Sequence, residues 1–138
     1  MKRWKIIVLV TICLALGAGA QAFAQSAAAK IKAYNEKAAQ DYLKLGLILA
    51  GEGHSAQAVK PFRQALAIRP NWAEAHSLLG SALAESGHYR EAEAELRKAV
   101  ELKPDYAEGW YYLGQFLKKQ GKEKEAQEAF LKAKQYAR

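Results

Sequence analysis

Three histidines, one cysteine and a run of glutamates are the side chains of this 138-residue chain whose types could support catalysis or metal binding. His54 and His88 each follow a glycine and lie 34 positions apart, so they occupy the same place in successive copies of one unit. Equivalent points on neighbouring packed helices are separated by roughly 8–10 Å or more. A shared metal needs imidazole nitrogens about 2 Å from the ion, so both read as turn residues. His76 falls inside an apolar helical pattern and reads as a packed side chain. Glu91, Glu93 and Glu95 alternate around a helix rather than meeting on one face, which suggests a solvated surface. Cys13 lies within an apolar run near the start. No nucleophile with a base, phosphate-cradling glycine loop or metal constellation can be assembled from these residues. The expectation is a protein that is not an enzyme and uses no cofactor or metal.

The elements that carry these side chains repeat. Leu79, Gly80, Leu83, Gly87, Ala92, Ala99 and Pro104 shift back by 34 onto Leu45, Gly46, Leu49, Gly53, Ala58, Ala65 and Pro70. Shifted forward, most recur as Leu113, Gly114, Leu117, Gly121, Ala126 and Ala133. A fixed period of that length marks one supersecondary unit copied along the chain. Within the copy over 73–106, Ala75, Leu78, Leu79, Ala82 and Leu83 recur at three- and four-residue steps, giving one helix over Ala73 to Glu85. Gly87 can take positive φ and stops it. Ala92, Leu96, Ala99 and Val100 form the stripe of a second helix, about Tyr89 to Leu102. Pro104 cannot continue the hydrogen-bond ladder, so that helix ends before it. Gly46, Gly80 and Gly114 sit mid-helix, where glycine costs roughly 1 kcal/mol against alanine, and so predict close helix approach. In the first copy Pro61 falls inside the second helix and predicts a kink or a late start.

At these positions the chain resembles the tetratricopeptide repeat family. The family's order reads as Tyr42, Leu45, Gly46, Leu49, Ala58, Phe62, Ala65, Pro70, then His76, Leu79, Gly80, Leu83, Ala92, Leu96, Ala99, Pro104. It reads a third time as Trp110, Leu113, Gly114, Leu117, Ala126, Phe130, Ala133. The resemblance implies an all-α fold, a right-handed α-solenoid of three antiparallel helix pairs over residues 39–138, with repeats at 39–72, 73–106 and 107–138. It also implies a concave groove that grips a peptide or protein segment. By the family's positions, that groove is lined by Gln40, Leu43 and Leu47, then Glu74, Ser77 and Ser81, then Glu108, Tyr111, Gln115 and Lys118. The set grades from apolar to polar and ends in a basic corner with Lys119, suiting a partner with an apolar anchor and an acidic end. Family members that clamp a C-terminal carboxylate use Lys, Asn and Arg, whereas Leu43, Leu47, Leu78, Glu108 and Tyr112 stand in those places here. That specialised activity is not carried over.

Residues 1–24 belong to something else. Lys2, Arg3 and Lys5, the apolar run Ile6 to Leu16, and Ala22-Phe23-Ala24 are the three parts of a secretory signal peptide, with Gln25 as the new N-terminus. The competing reading is an uncleaved anchor, weakened by Gly17, Gly19 and Gln21. Ile12 before Cys13 argues against a lipid-attachment cysteine. Residues 25–38 contain no Pro or Gly and read either as a leading helix or as a frayed linker. The whole chain carries 21 basic and 14 acidic residues; without the leader's three basic residues the balance is 18 against 14, or +4. That excess, interspersed with acids, is not a nucleic-acid-binding stripe. The expectation is a periplasmic or secreted interaction adaptor with a protein or peptide partner. The alternative is a membrane-tethered envelope assembly factor facing the periplasm. Lysines and glutamates around Ala126, Phe130 and Ala133 favour a last helix that caps itself and a monomer. A homo-oligomer through that helix is the other outcome.

Overall fold

The computed structural model describes residues 2–137, with side chains from residue 17 onward. These residues form six α-helices and no strand: α1 (Lys2–Gly51), α2 (Ser55–Ile68), α3 (Ala73–Glu85), α4 (Tyr89–Leu102), α5 (Ala107–Lys119) and α6 (Glu123–Tyr136). Residues 1–36 and 37–138 make two compact units. The first unit is helical throughout its described residues, and Phe23, Ile31 and Tyr34 are exposed on it. The side chains of Lys2, Arg3, Lys5, the Ile6 to Leu16 run and Cys13, on which the leader reading rests, lie outside the described residues. No helix among the described residues is long and apolar enough to cross a membrane.

The second unit is a right-handed solenoid of antiparallel helix pairs: the end of α1 with α2, α3 with α4, and α5 with α6. The mid-helix glycines explain how closely each pair packs. A Cβ on Gly46 would sit 2.4 Å from the Phe62 ring, one on Gly80 2.6 Å from Leu96 Cγ, and one on Gly114 2.8 Å from the Phe130 ring. No side chain fits in that gap, so the glycine lets the large residue of the facing helix seat against the backbone. Ala58, Ala92 and Ala126 are buried in the second helices, where small side chains allow the same approach. One apolar core runs through Leu43, Phe62, Leu79, Leu83, Leu96, Leu113 and Leu117.

The corners are alike. Gly53, Gly87 and Gly121 take φ of +82°, +83° and +74°, the left-handed region that glycine enters without a Cβ clash. The next amide then reaches back five residues: His54 N to Leu49 O at 2.8 Å, His88 N to Leu83 O at 2.9 Å, and Lys122 N to Leu117 O at 2.9 Å. This six-to-one bond satisfies a helix-end carbonyl. His54 and His88 are the residues just before α2 and α4, and both are exposed.

Of the kink or late start expected at Pro61, the late start is not found: helix α2 begins at Ser55 and holds Pro61, buried, in its interior. The carbonyl four residues back belongs to exposed Gln57, where water can replace the missing donor. Glu91, Glu93 and Glu95 are not simply solvated, because each reaches a different neighbouring element: helix α2, the corner before α6, and helix α3. Arg63 on α2 donates to Glu91 at 2.6 Å, Lys122 donates to Glu93 at 2.9 Å, and Glu95 meets His76 on α3 at 2.6 Å. Alternation around α4 separates the carboxylates from one another, and the neighbouring elements supply the cations.

Candidate functional site

The first helix of each pair presents its residues in a fixed order, and their exposure decides which can meet a ligand. Gln40, Leu47, Glu74, Glu108, Tyr111, Gln115 and Lys118 are exposed, and Ser81 is half-buried. Leu43 and Ser77 offer no comparable surface: Leu43 is 8% exposed within the core and Ser77 is fully buried. The Ser77 hydroxyl donates to the Glu74 carbonyl at 3.1 Å and faces the phenol of Tyr106, the residue just before α5. Burial raises the Tyr106 pKa, an effect that the nearby Ser77 hydroxyl only partly offsets. Tyr111 occupies the same register as Leu43 and Ser77, yet stands 48% exposed.

Tyr111 anchors a hollow of about 600 Å³ lined by Gln115, Lys118, Lys119 and Phe130. The Gln115 amide donates to the Tyr111 hydroxyl at 2.8 Å, which fixes the phenol over the rim. The Phe130 ring lies 5.9 Å from that of Tyr111, tilted by 56°, so the two rings form an apolar wall. Lys118 and Lys119 close the other side; neither has a carboxylate partner among the described residues, and no acid lines the hollow. Beside it lies a smaller hollow of about 50 Å³ lined by Ser81, Ala84, Glu85, Leu96, Tyr112, Gln115, Phe116 and Lys119. The one carboxylate there, Glu85, is engaged by the Ser55 hydroxyl. The arrangement offers stacking area, two ammonium groups and an amide, which suits capture of an anionic group next to an apolar one.

Of the ten residues expected in the groove, the structure brings Tyr111, Gln115 and Lys118 together. Phe130 was not among them, because it comes from the second helix of its pair. Its signal in the sequence was the aromatic at the register of Phe62 and Leu96, with less of the stack to cover it. No group of three or more His, Cys, Asp or Glu residues among those described could hold a metal ion.

The chain matches the model described as tetratricopeptide repeat over residues 39–71 and 107–138, and a TPR repeat model over 80–121. No curated protein sequence matches it. Among solved structures, the second TPR of Spaghetti (RPAP3), bound to an HSP90 peptide, is 22% identical with a TM-score of 0.66, covering 72% of this chain and 93% of that one. The Sgt2 TPR domain from Aspergillus fumigatus is 23% identical with a TM-score of 0.68, covering 72% of this chain and 66% of that one. Pseudomonas aeruginosa pilF is 33% identical with a TM-score of 0.70; the match covers 73% of this chain and spans less than half of that protein, 46%. The helix pairs described above therefore carry tetratricopeptide repeats, matched across residues 39–71 and 80–138.

Proposed function

We propose that this protein is an exported adaptor whose three repeats hold a peptide segment of a protein partner in the groove. The segment carries an apolar or aromatic side chain beside acidic residues. The observation that carries this reading is the hollow formed by Tyr111, Phe130, Lys118 and Lys119, in which two cations face an aromatic wall with no acid among the lining residues. An apolar side chain of the partner stacks on Tyr111 and Phe130, and its carboxylate meets the two ammonium groups. Exposed Leu47 and Gln40, in the register of the first helix, extend the contact toward the other end of the groove. The leader, residues 1–24, directs the chain across the inner membrane and is removed before Gln25, leaving the mature chain periplasmic or secreted.

An array of acidic and neutral octapeptides, each with and without an aromatic residue, probed with the full chain, tests the groove. Retention of peptides that combine aromatic and acidic residues, lost in a Tyr111→Ala/Lys118→Glu variant of unchanged helicity, is the expected result. Equal retention of neutral and acidic peptides would overturn it. Exposed Leu47 replaces buried Leu43 as the second site to vary, because a charge at Leu43 would disrupt the core rather than the groove. Intact mass of the expressed protein tests processing. A mass starting at Gln25 is expected, and a retained leader would mean the tethered form.

A further inference from the structure

The repeat register makes each end of the stack comparable with an internal interface of the same molecule. On the first pair, Leu45 and Ile48 are 47% and 49% exposed. Their counterparts, Leu79 and Ala82 in the second pair and Leu113 and Phe116 in the third, are all buried. In those pairs this face of the first helix lies in the common core, where α3 packs on α2 and α5 packs on α3 and α4. At the other end, Tyr111 stands open where Leu43 and Ser77 are buried, and borders a hollow of about 480 Å³ that Tyr106, Ala133 and Tyr136 also line. One end thus presents the downstream half of the internal interface, and the other end presents the upstream half.

Size and charge at the two ends complement each other. Within the stack, small Ser77 faces large Tyr106. At the ends the sizes are exchanged, with Tyr111 in the register of Ser77 and Ala38 in the register of Tyr106. Leu66 and buried Val100 belong to the core, whereas Lys134 stands exposed at their register in the third pair. Buried Ala75 and Gly109 are replaced in the first pair by exposed Asp41. Each end therefore puts one charge where the internal interfaces are apolar, and the two charges have opposite sign. Neither Asp41 nor Lys134 has an ionic partner among the described residues.

We propose that a second copy of this chain docks end to end on the first, with the Asp41, Leu45 and Ile48 face of one molecule seated on the Tyr111, Lys134 and Tyr136 face of the next. The contact is heterologous, so it propagates the solenoid from molecule to molecule rather than closing a two-fold dimer. Burial of Leu45 and Ile48 supplies the apolar part, and Asp41 against Lys134 sets the register and direction. This goes beyond the peptide-groove reading, and its key residues lie outside the groove hollow apart from Tyr111.

Sedimentation velocity on the full chain over a hundredfold concentration range tests it. The expected result is a mass that rises past the dimer, with Leu45→Glu removing the association while the helical circular dichroism is unchanged. Asp41→Lys and Lys134→Glu should each weaken association about tenfold, as loss of an interface charge pair does. The Asp41→Lys/Lys134→Glu double variant should restore it, because the swapped charges meet across the joint. A chain that stays monomeric at every concentration overturns the proposal. So does association that survives Leu45→Glu, or a double variant no better than either single change. Lys118→Glu, which weakens peptide retention, should leave self-association intact, so failure of one reading is distinguishable from failure of the other.

Discussion

The contact between His76 and Glu95 makes the stability of the stack depend on pH, with a sign that the geometry dictates. His76 Nδ1 lies 2.6 Å from a Glu95 carboxylate oxygen, and Nε2 lies 2.8 Å from the Pro70 carbonyl oxygen. Both neighbours are acceptors, and only the protonated ring can donate to both at once. Burial alone would lower the His76 pKa, and Lys98 adds slightly to that. The hydrogen bonds to Glu95 and Pro70, with the attraction of the Glu95 charge, outweigh both, so the pKa is raised above 6.5. A group whose folded pKa lies above its unfolded value contributes fully below the unfolded pKa, and loses that contribution as pH rises through the folded one. The fall should therefore begin near pH 6.5, the reference value, at a slope of at most about 1.4 kcal/mol per pH unit for one proton, and then level off. Glu95→Gln removes a charge-assisted bond of about 1.5–3 kcal/mol. The Glu95 side chain is 30% exposed, which places the loss at the low end, about 1.5 kcal/mol at pH 6. That corresponds to a melting drop of about 6–12 °C for a domain of this size. The third pair suggests the complementary variant: Trp110 Nε1 donates to the Pro104 carbonyl at 2.8 Å, without a titrating group. His76→Trp should keep the carbonyl contact and abolish the slope. Urea denaturation from pH 5.5 to 9, in a His54→Asn/His88→Asn background, isolates the effect. A flat profile in the parent, or a slope that His76→Trp leaves in place, would refute the reasoning.

Three further outcomes follow from packing and charge. Gly80→Ala gains about 1 kcal/mol of helix propensity but places a Cβ 2.6 Å from Leu96 Cγ and 3.0 Å from the Ala92 carbonyl oxygen; overpacking of about 1–3 kcal/mol should win, read as a lower urea midpoint. Gly51→Ala, with nothing within 4 Å of the added Cβ, should be neutral or stabilising in the same assay. Phe62→Ala should cost about 3–5 kcal/mol, and Phe130→Ala clearly less, because Phe62 is fully buried and its counterpart only partly so. The hydrogen bond from Lys122, aided by Arg97, lowers the Glu93 pKa, so its contribution is present above the unfolded value of about 4.5 and lost as pH falls through the lower folded one. Glu93→Gln should therefore flatten the acid limb of the stability profile, and an unchanged limb would contradict the pairing.

The fold was legible because its determinants are local and repeated. Gly80 and Leu96 are separated by a fixed spacing that recurs, and the same is true of Gly87 and Pro104; three aligned copies turn weak propensities into a pattern. What the sequence did not disclose is pairing between helices of different copies. The bonds from Arg63 to Glu91 and from Arg97 to Glu125, both at 2.6 Å, depend on rotamers across a 28-residue separation. A single copy read alone gives Glu91 no partner and offers Glu93 only Arg97, four residues on in the same helix. The groove was legible only in part for a related reason. Ten residues share the family's register, but register does not fix exposure: Ser77 is buried facing Tyr106, just before α5, whereas Tyr111 faces no such turn among the described residues and is 48% exposed. Phe130 entered the site because a side chain that is core in one copy becomes wall in another.

That dependence of role on copy number carries a general consequence for this molecule. Stability in a linear stack is a sum of each pair's own contribution and of the interfaces with its neighbours. The middle pair has two such interfaces, and it also holds the charged links: Glu91 reaches back to Arg63, and Glu93 and Arg97 reach forward to Lys122 and Glu125. Exposed pairs of this kind are worth about 0–1 kcal/mol each, so they fix the relative placement of the second helices more than they hold the stack together. The apolar interfaces do the latter, through Leu79 and Leu113 seated in the common core. Leu45 has the same side chain in the same register and remains 47% exposed. A fully buried leucine contributes about 1.5–3 kcal/mol, and Leu45 forgoes much of that until something covers it. The first pair is therefore the one whose stability should rise most when a partner, of whatever kind, docks on that face.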